Sequence, residues 1–186
     1  MSHFQIEETP LQGLKVIQRQ PRIDSRGRFA RAFCSEELLA AGWTTPVMQI
    51  NHSMTNEVGS VRGLHYQKPP KAEKKMVLCL RGRVWDVAVD LRSNSATFFS
   101  WHAEELSAEN NRAMMIPEGF AHGFQVLEKE SELLYLHSEQ YSPQQEEGLS
   151  PLDPRLSIPW PLPIAEMSNR DRGFPILTDK YKGVSL

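Results

Sequence analysis

"MVLCLRGRVWDVAVDL", residues 76–91, decides the fold. Successive side chains of a β-strand point to opposite faces, so a half-buried strand carries a period of two. The second half of this stretch has that period. Trp85, Val87, Val89 and Leu91 share one face; Val84, Asp86, Ala88 and Asp90 share the other. The first half, Met76 to Leu80, is apolar throughout, as a strand buried on both faces would be. Gly82 separates two strands.

Working outward, the β texture continues. "GFAHGFQVL" (119–127) and "ELLYLHSEQY" (132–141) flank the polar "EKES" and predict a hairpin. "SEELLAAGW" (35–43) predicts the short helix of the chain, with Ser35 as its cap and Glu36 and Glu37 at the positive end of its dipole. Beyond Tyr141 lies "PLDPRLSIPWPLPIAEMSNRDRGFP" (151–175). Proline cannot donate to a sheet ladder, so this is not central strand. It nevertheless carries Leu156, Ile158, Trp160, Leu162 and Ile164, a heavy apolar load for disorder. The expectation is an irregular segment packed over a mainly β, antiparallel sandwich or jelly roll. With 186 residues, a single domain over 1–186 is expected.

Composition narrows the function. Net charge is −2 and pI about 6.3, which gives no electrostatic case for nucleic acid or an anionic membrane. No stretch approaches the roughly 18 apolar residues of a spanning helix. The start, "MSHFQIEETPLQG", lacks the basic and apolar regions of a signal peptide. Cys34 and Cys79 form no CxxC motif and no disulfide framework, so a cytoplasmic location is expected.

"VRGLHYQKPP" (61–70) raises the chemical question, because it holds one histidine, His65, without a second beside it. Metal ligation, acid/base chemistry and ordinary packing all start open. Two patches resemble the two motifs of the metal-binding cupins. Gly59 precedes His65 by the right interval, but Gln67 stands where the second histidine belongs, and Glu73 is poorly spaced as the glutamate. Pro117, Gly119 and His122 match the other motif. The scaffold pattern is kept, and the ligand set falls short of three protein ligands. No metal and no cofactor is expected. Lys75, Asp86, His122 and Tyr135 lie on neighbouring strands. In one cleft, this set could remove a proton from carbon, stabilise the charge and return a proton; it could equally be a satisfied hydrogen-bond network.

Five ordered blocks carry a wider resemblance: "DSRGRFARAF" (24–33), "QINHSMTNEVGSVRGLHYQKPP" (49–70), "KMVLCLRGRVWDVAVDLRSNSATF" (75–98), "IPEGFAHGF" (116–124) and "MSNRD" (167–171). Together they resemble the dTDP-4-dehydrorhamnose 3,5-epimerase family. The resemblance implies a cupin-type jelly roll, a homodimer, and a cofactor-independent epimerase of a nucleotide-linked 4-keto-6-deoxyhexose. It further implies His65 as general base oriented by Asp171, Lys75 facing the enolate, and Tyr135 as general acid. Arg26 and Arg62 would hold the diphosphate, and Gln49 and Asn51 would form a binding pair. Asp86, His122, Tyr141, Glu146 and Arg170 would complete the substrate site.

The chain departs from the family pattern at three places. Arg31 stands where a glutamate near the nucleotide base is usual, which leaves the nucleotide open. Pro151 and Leu152 replace a usual Trp-Asn, and Arg170 replaces a usual lysine. An epimerase acting at one carbon or on another nucleotide sugar is the nearest alternative. A metal-dependent cupin oxygenase and a non-catalytic sugar-binding jelly roll are the more distant ones.

Overall fold

The computed structural model describes residues 2–186. The chain runs through β1 (Phe4–Glu8) and β2 (Lys15–Arg19), then a small arm of β3 (Arg22–Asp24) and β4 (Gly27–Phe29). It continues through β5 (Gln49–Thr55), β6 (Val61–Gln67), β7 (Lys75–Arg81) and β8 (Arg83–Asp90). Then come β9 (Trp101–Ser107), β10 (Arg112–Ile116), β11 (Phe120–Val126), β12 (Ser131–His137) and β13 (Glu146–Gly148). One α-helical turn, α1 (Asn169–Arg172), follows.

Two sheets face each other. One has the order β1-β2-β10-β7-β12-β5, the other β13-β6-β11-β8-β9, and neighbouring strands pair antiparallel. This is the expected jelly roll. Between the sheets lies an apolar core that includes Val77, Cys79, Val84, Ala88, Phe120, Phe124 and Leu133. Each fully buried aliphatic or aromatic side chain there contributes roughly 1.5–3 kcal/mol.

The alternation read from residues 84–91 holds. Val84 and Ala88 enter the core between the sheets, while Val87, Val89 and Leu91 pack beneath the C-terminal segment. β7 is buried on both faces as far as Cys79, with Val77 and Cys79 inward and Met76 and Leu78 against Leu38 and Trp43 outside; Leu80, expected to be buried, is exposed. The proline-rich segment also behaves as expected. It has almost no regular structure, yet Leu156 and Ile158 are buried against β8 and Trp160 packs beside them. The Trp101 and Trp160 indole N–H groups donate to the Leu156 and Pro151 carbonyls, tying the segment down.

Two local expectations fail. Residues 119–127 and 132–141 do not form a hairpin, because β11 belongs to one sheet and β12 to the other. The polar turn between them carries the chain across the sandwich, and local pattern cannot tell such a crossing from a hairpin. The predicted helix over 35–43 shrinks to a 3₁₀ turn at Glu37–Ala41, preceded by Glu36 with no side-chain cap from Ser35. Glu37 is engaged elsewhere, by His3 and Arg31, and Gly42 ends the turn in a left-handed conformation.

Candidate active site

Strand parity assembles a cavity of about 520 Å³ between strands of the two sheets. On β6, Leu64 and Tyr66 pack outward, so His65 and Gln67 turn inward. On β12, Tyr135 and His137 face the cavity; on β5, Gln49, Asn51, Ser53 and Thr55 do. Lys75, at the start of β7, and His122, on β11, complete the polar floor. The same period of two that builds the apolar core from Val77, Cys79 and Leu133 thus brings Lys75, Tyr135 and His137 on those strands to the cavity.

His65 and His122 sit opposite each other in the β6–β11 ladder. Two glycines allow that pairing. A Cβ on Gly63 would lie 2.6 Å from Gly123 Cα, and Gly63 has φ of +121°, so larger residues would push the strands apart. His65 Nε2 is 2.8 Å from Asp171 Oδ1. Asp171 belongs to α1, whose first turn is capped by Ser168, and its other oxygen accepts from the Gly63 N–H at 3.3 Å. Burial opposes ionisation of Asp171, but the His65 hydrogen bond and charge and the Gly63 N–H hold its carboxyl below the usual range. An ionised carboxylate only accepts. His65 Nε2 thus carries the proton, and Nδ1 keeps its lone pair as the basic nitrogen. The proline-rich segment therefore delivers the partner of the central histidine as well as a hydrophobic cover.

The Phe174 ring packs edge-on to His65, with centroids 5.5 Å apart. It occupies space that only glycine at 148 leaves open: a Cβ there would meet the ring at 2.3 Å. Across the cavity, Lys75 Nζ lies 2.9 Å from Glu73, and both side chains are at most one-tenth exposed. His137 Nδ1 bonds the same carboxylate at 2.8 Å. Burial opposes the Glu73 charge, yet Lys75 and His137 bring its pKa down to about 2. The Tyr135 hydroxyl is 3.0 Å from Ser53 Oγ, and burial raises its pKa, so the phenol stays protonated. Asp86 is fully buried and bonds His122 at 2.8 Å; burial raises its pKa against the opposing pull of His122.

Most of the residues singled out in the sequence meet here. His65, Lys75, Tyr135, Asp171, Gln49, Asn51, Arg62, His122, Tyr141, Glu146 and Arg170 line one cavity, and Asp86 stands directly behind His122. Arg62 donates to Thr55 Oγ1, while Glu146 receives both Tyr141 and Arg170 at the rim. Arg26 and Arg31 are not brought to this cavity. Arg26 pairs with Asp24 on the exposed arm, and Arg31 pairs with Glu37. Glu73, His137 and Ser53 were not assigned to the site from sequence. The signal for two of them was available, since His137 is two residues from Tyr135 and Ser53 two from Asn51 on the same strand faces. Among the described residues, no group of three or more His, Cys, Asp and Glu side chains is placed to hold a metal ion. No helix among them is long and apolar enough to cross a membrane.

Fold and cavity together define a class: a jelly-roll protein whose open cavity is lined with acid–base side chains from both sheets. Comparison with known proteins narrows it. The family model described as dTDP-4-dehydrorhamnose 3,5-epimerase matches residues 8–179. The enzyme of that name from Pseudomonas aeruginosa is 45% identical over 163 residues, which cover 84% of this chain and 88% of the relative. A crystal structure of dTDP-6-deoxy-D-glucose-3,5-epimerase from Legionella pneumophila in complex with dTDP-4-keto-L-rhamnose superposes with a TM-score of 0.92 at 36% identity. The superposition covers 99% of each chain. A dTDP-4-dehydrorhamnose 3-epimerase from Streptomyces niveus is 36% identical over 91% of this chain and 82% of its own length. The chain belongs to the dTDP-4-dehydrorhamnose 3,5-epimerase family.

Proposed function

We propose that this protein is an isomerase that inverts carbons 3 and 5 of dTDP-4-dehydro-6-deoxy-D-glucose, giving dTDP-4-dehydro-L-rhamnose for rhamnose biosynthesis. One observation carries the reading: the base candidate and the acid candidate stand on opposite sheets across one cavity. His65 belongs to β6, and Tyr135 and Lys75 to the facing strands β12 and β7. Facing sheets lie ~10 Å apart, enough for one sugar ring between them. Inversion needs that arrangement, because the proton must leave one face of the carbon and arrive at the other.

His65 Nδ1 removes a proton next to the ketone, and the C–H electron pair moves onto the ketone oxygen as an enolate. Asp171 steadies the resulting imidazolium. Lys75, itself buried, offers its charge to the enolate oxygen; such a charge acts most strongly where water is excluded. Tyr135 gives its proton to carbon from the other side. Exchange with solvent then discharges the imidazolium and restores the phenol. Each step uses side chains alone, and the same set can act in turn at both carbons.

Arg62, Gln49, Asn51, His122, Tyr141, Glu146 and Arg170 serve as substrate contacts, with Asp86 holding His122. Arg26 and Arg31 do not line this cavity and would join the substrate contacts at the cavity of a partner. Ile23 and Phe29, 77% and 70% exposed on the same arm, support a homodimer in which the arm of one protomer lies against its partner. The free cysteines Cys34 and Cys79 support a cytoplasmic location. His65→Asn tests the catalytic assignment. It should lower turnover at least ~10³-fold, near the upper range for loss of a general base, while dTDP affinity by calorimetry stays within about threefold. Turnover near that of the unaltered protein would remove His65 as the base.

A further inference from the structure

We propose that Glu73 is a positioning residue: its carboxylate, which also receives Lys75, sets the direction of one hydrogen-bond chain that runs from the Tyr141 backbone N–H to Glu73. The chain leaves the Gln49 and Asn51 carboxamides each with an N–H for acceptor oxygens of the bound substrate. The inference rests on reading the cavity as a nucleotide-sugar epimerase site. Glu73 receives Lys75 Nζ at 2.9 Å and His137 Nδ1 at 2.8 Å. A carboxylate can only accept, so Nδ1 of His137 carries the proton, and in the neutral ring Nε2 is an acceptor. Asn51 Nδ2 lies 3.4 Å from that nitrogen. Asn51 Oδ1 accepts from Gln49 Nε2 at 3.0 Å, and Gln49 Oε1 accepts from the Tyr141 N–H at 2.9 Å.

Neither end of this chain can be reversed. A backbone N–H only donates, and Glu73 only accepts, so both ends impose the same polarity on the three side chains between them. Turning any one of them sets donor against donor or lone pair against lone pair. Each carboxamide has two N–H bonds and spends one in the chain. The second remains on a residue that lines the cavity, where keto, hydroxyl or phosphate oxygens would be its partners. Glu73 thus aims the ammonium of Lys75 and, through His137, presets the binding pair.

The test is the tautomer of His137 in the full chain at neutral pH. It is read by long-range ¹⁵N–¹H NMR and assigned by the signals lost in His137→Asn. The expected proton is on Nδ1 alone. In Glu73→Gln the side-chain amide can donate to Nδ1, so the proton should move to Nε2. That places a donor against Asn51, and the KM for the dTDP-keto sugar should rise about tenfold. A proton on Nε2 in the unaltered protein overturns the proposal, and so does Glu73→Gln with either tautomer or KM unchanged. If Glu73→Gln does not fold, the unaltered protein's tautomer decides. Absence of turnover by the unaltered protein would instead defeat the epimerase reading, while the tautomer would still decide the polarity of the chain.

Discussion

At the scale of single residues, the site depends on what surrounds His65 as much as on His65 itself. Asp171 fixes the protonated nitrogen, and Phe174 limits how the ring can tilt. Gly148 is the least conspicuous member of this group, since it contributes only the absence of a side chain. Gly148→Ala would drive a methyl group into Phe174 and move the ring off His65. We expect kcat/KM to fall between about tenfold and a hundredfold, the range for a small misplacement of a reacting group. Denaturant unfolding should show a loss of about 1–3 kcal/mol from overpacking. Unchanged kinetics would mean that Phe174 does not position His65. His65, Lys75 and Asp171 could be singled out in the sequence because their blocks carry a family resemblance, and Tyr135 because it falls on a strand neighbouring the other acid–base residues. The role of Glu73 could not. A buried carboxylate shared by a lysine and a histidine is a relation between a loop and two strands, and no single stretch contains it.

At the scale of elements, period-two patterning was a reliable guide within a strand and a poor one between strands. Residues 84–91 present both of their faces as read, one to the inner core and one to the C-terminal cover. The pairing of β11 with β8 rather than with β12 was not legible, because a crossing between sheets and a hairpin turn use the same polar residues. The 3₁₀ turn was overread as a helix because Ser35 and the two glutamates form a good local start signal. Tertiary demand then diverts Glu37 to His3 and Arg31. The β3–β4 arm is another element whose role lies outside its own sequence. All six of its strand residues are exposed, including Ile23 and Phe29. Light scattering after size exclusion should give twice the 21.2 kDa mass of the chain. Replacing Ile23 and Phe29 together by serine should shift the population toward the single chain. A monomer in the unaltered protein would contradict the proposed placement of the arm.

At the scale of the whole molecule, the sandwich divides its interior in two. One part is filled with side chains such as Val84, Phe120 and Leu133 and supplies rigidity; the other is left open and polar. The proline-rich segment joins the two purposes, sealing the outside of one sheet with Leu156 and Ile158 before carrying Asp171 to His65. The proposed base and acid, His65 and Tyr135, are held apart by the sheets themselves, so the spacing of the two faces follows from the fold. The measurement that tests this most directly is proton NMR of the dTDP-linked 4-keto-6-deoxy sugar incubated with the protein in heavy water. Solvent deuterium is expected at both carbon 3 and carbon 5, with the L-rhamno configuration appearing alongside. Deuterium at carbon 3 alone would contradict double epimerisation, and deuterium at neither carbon would contradict the epimerase assignment for this substrate.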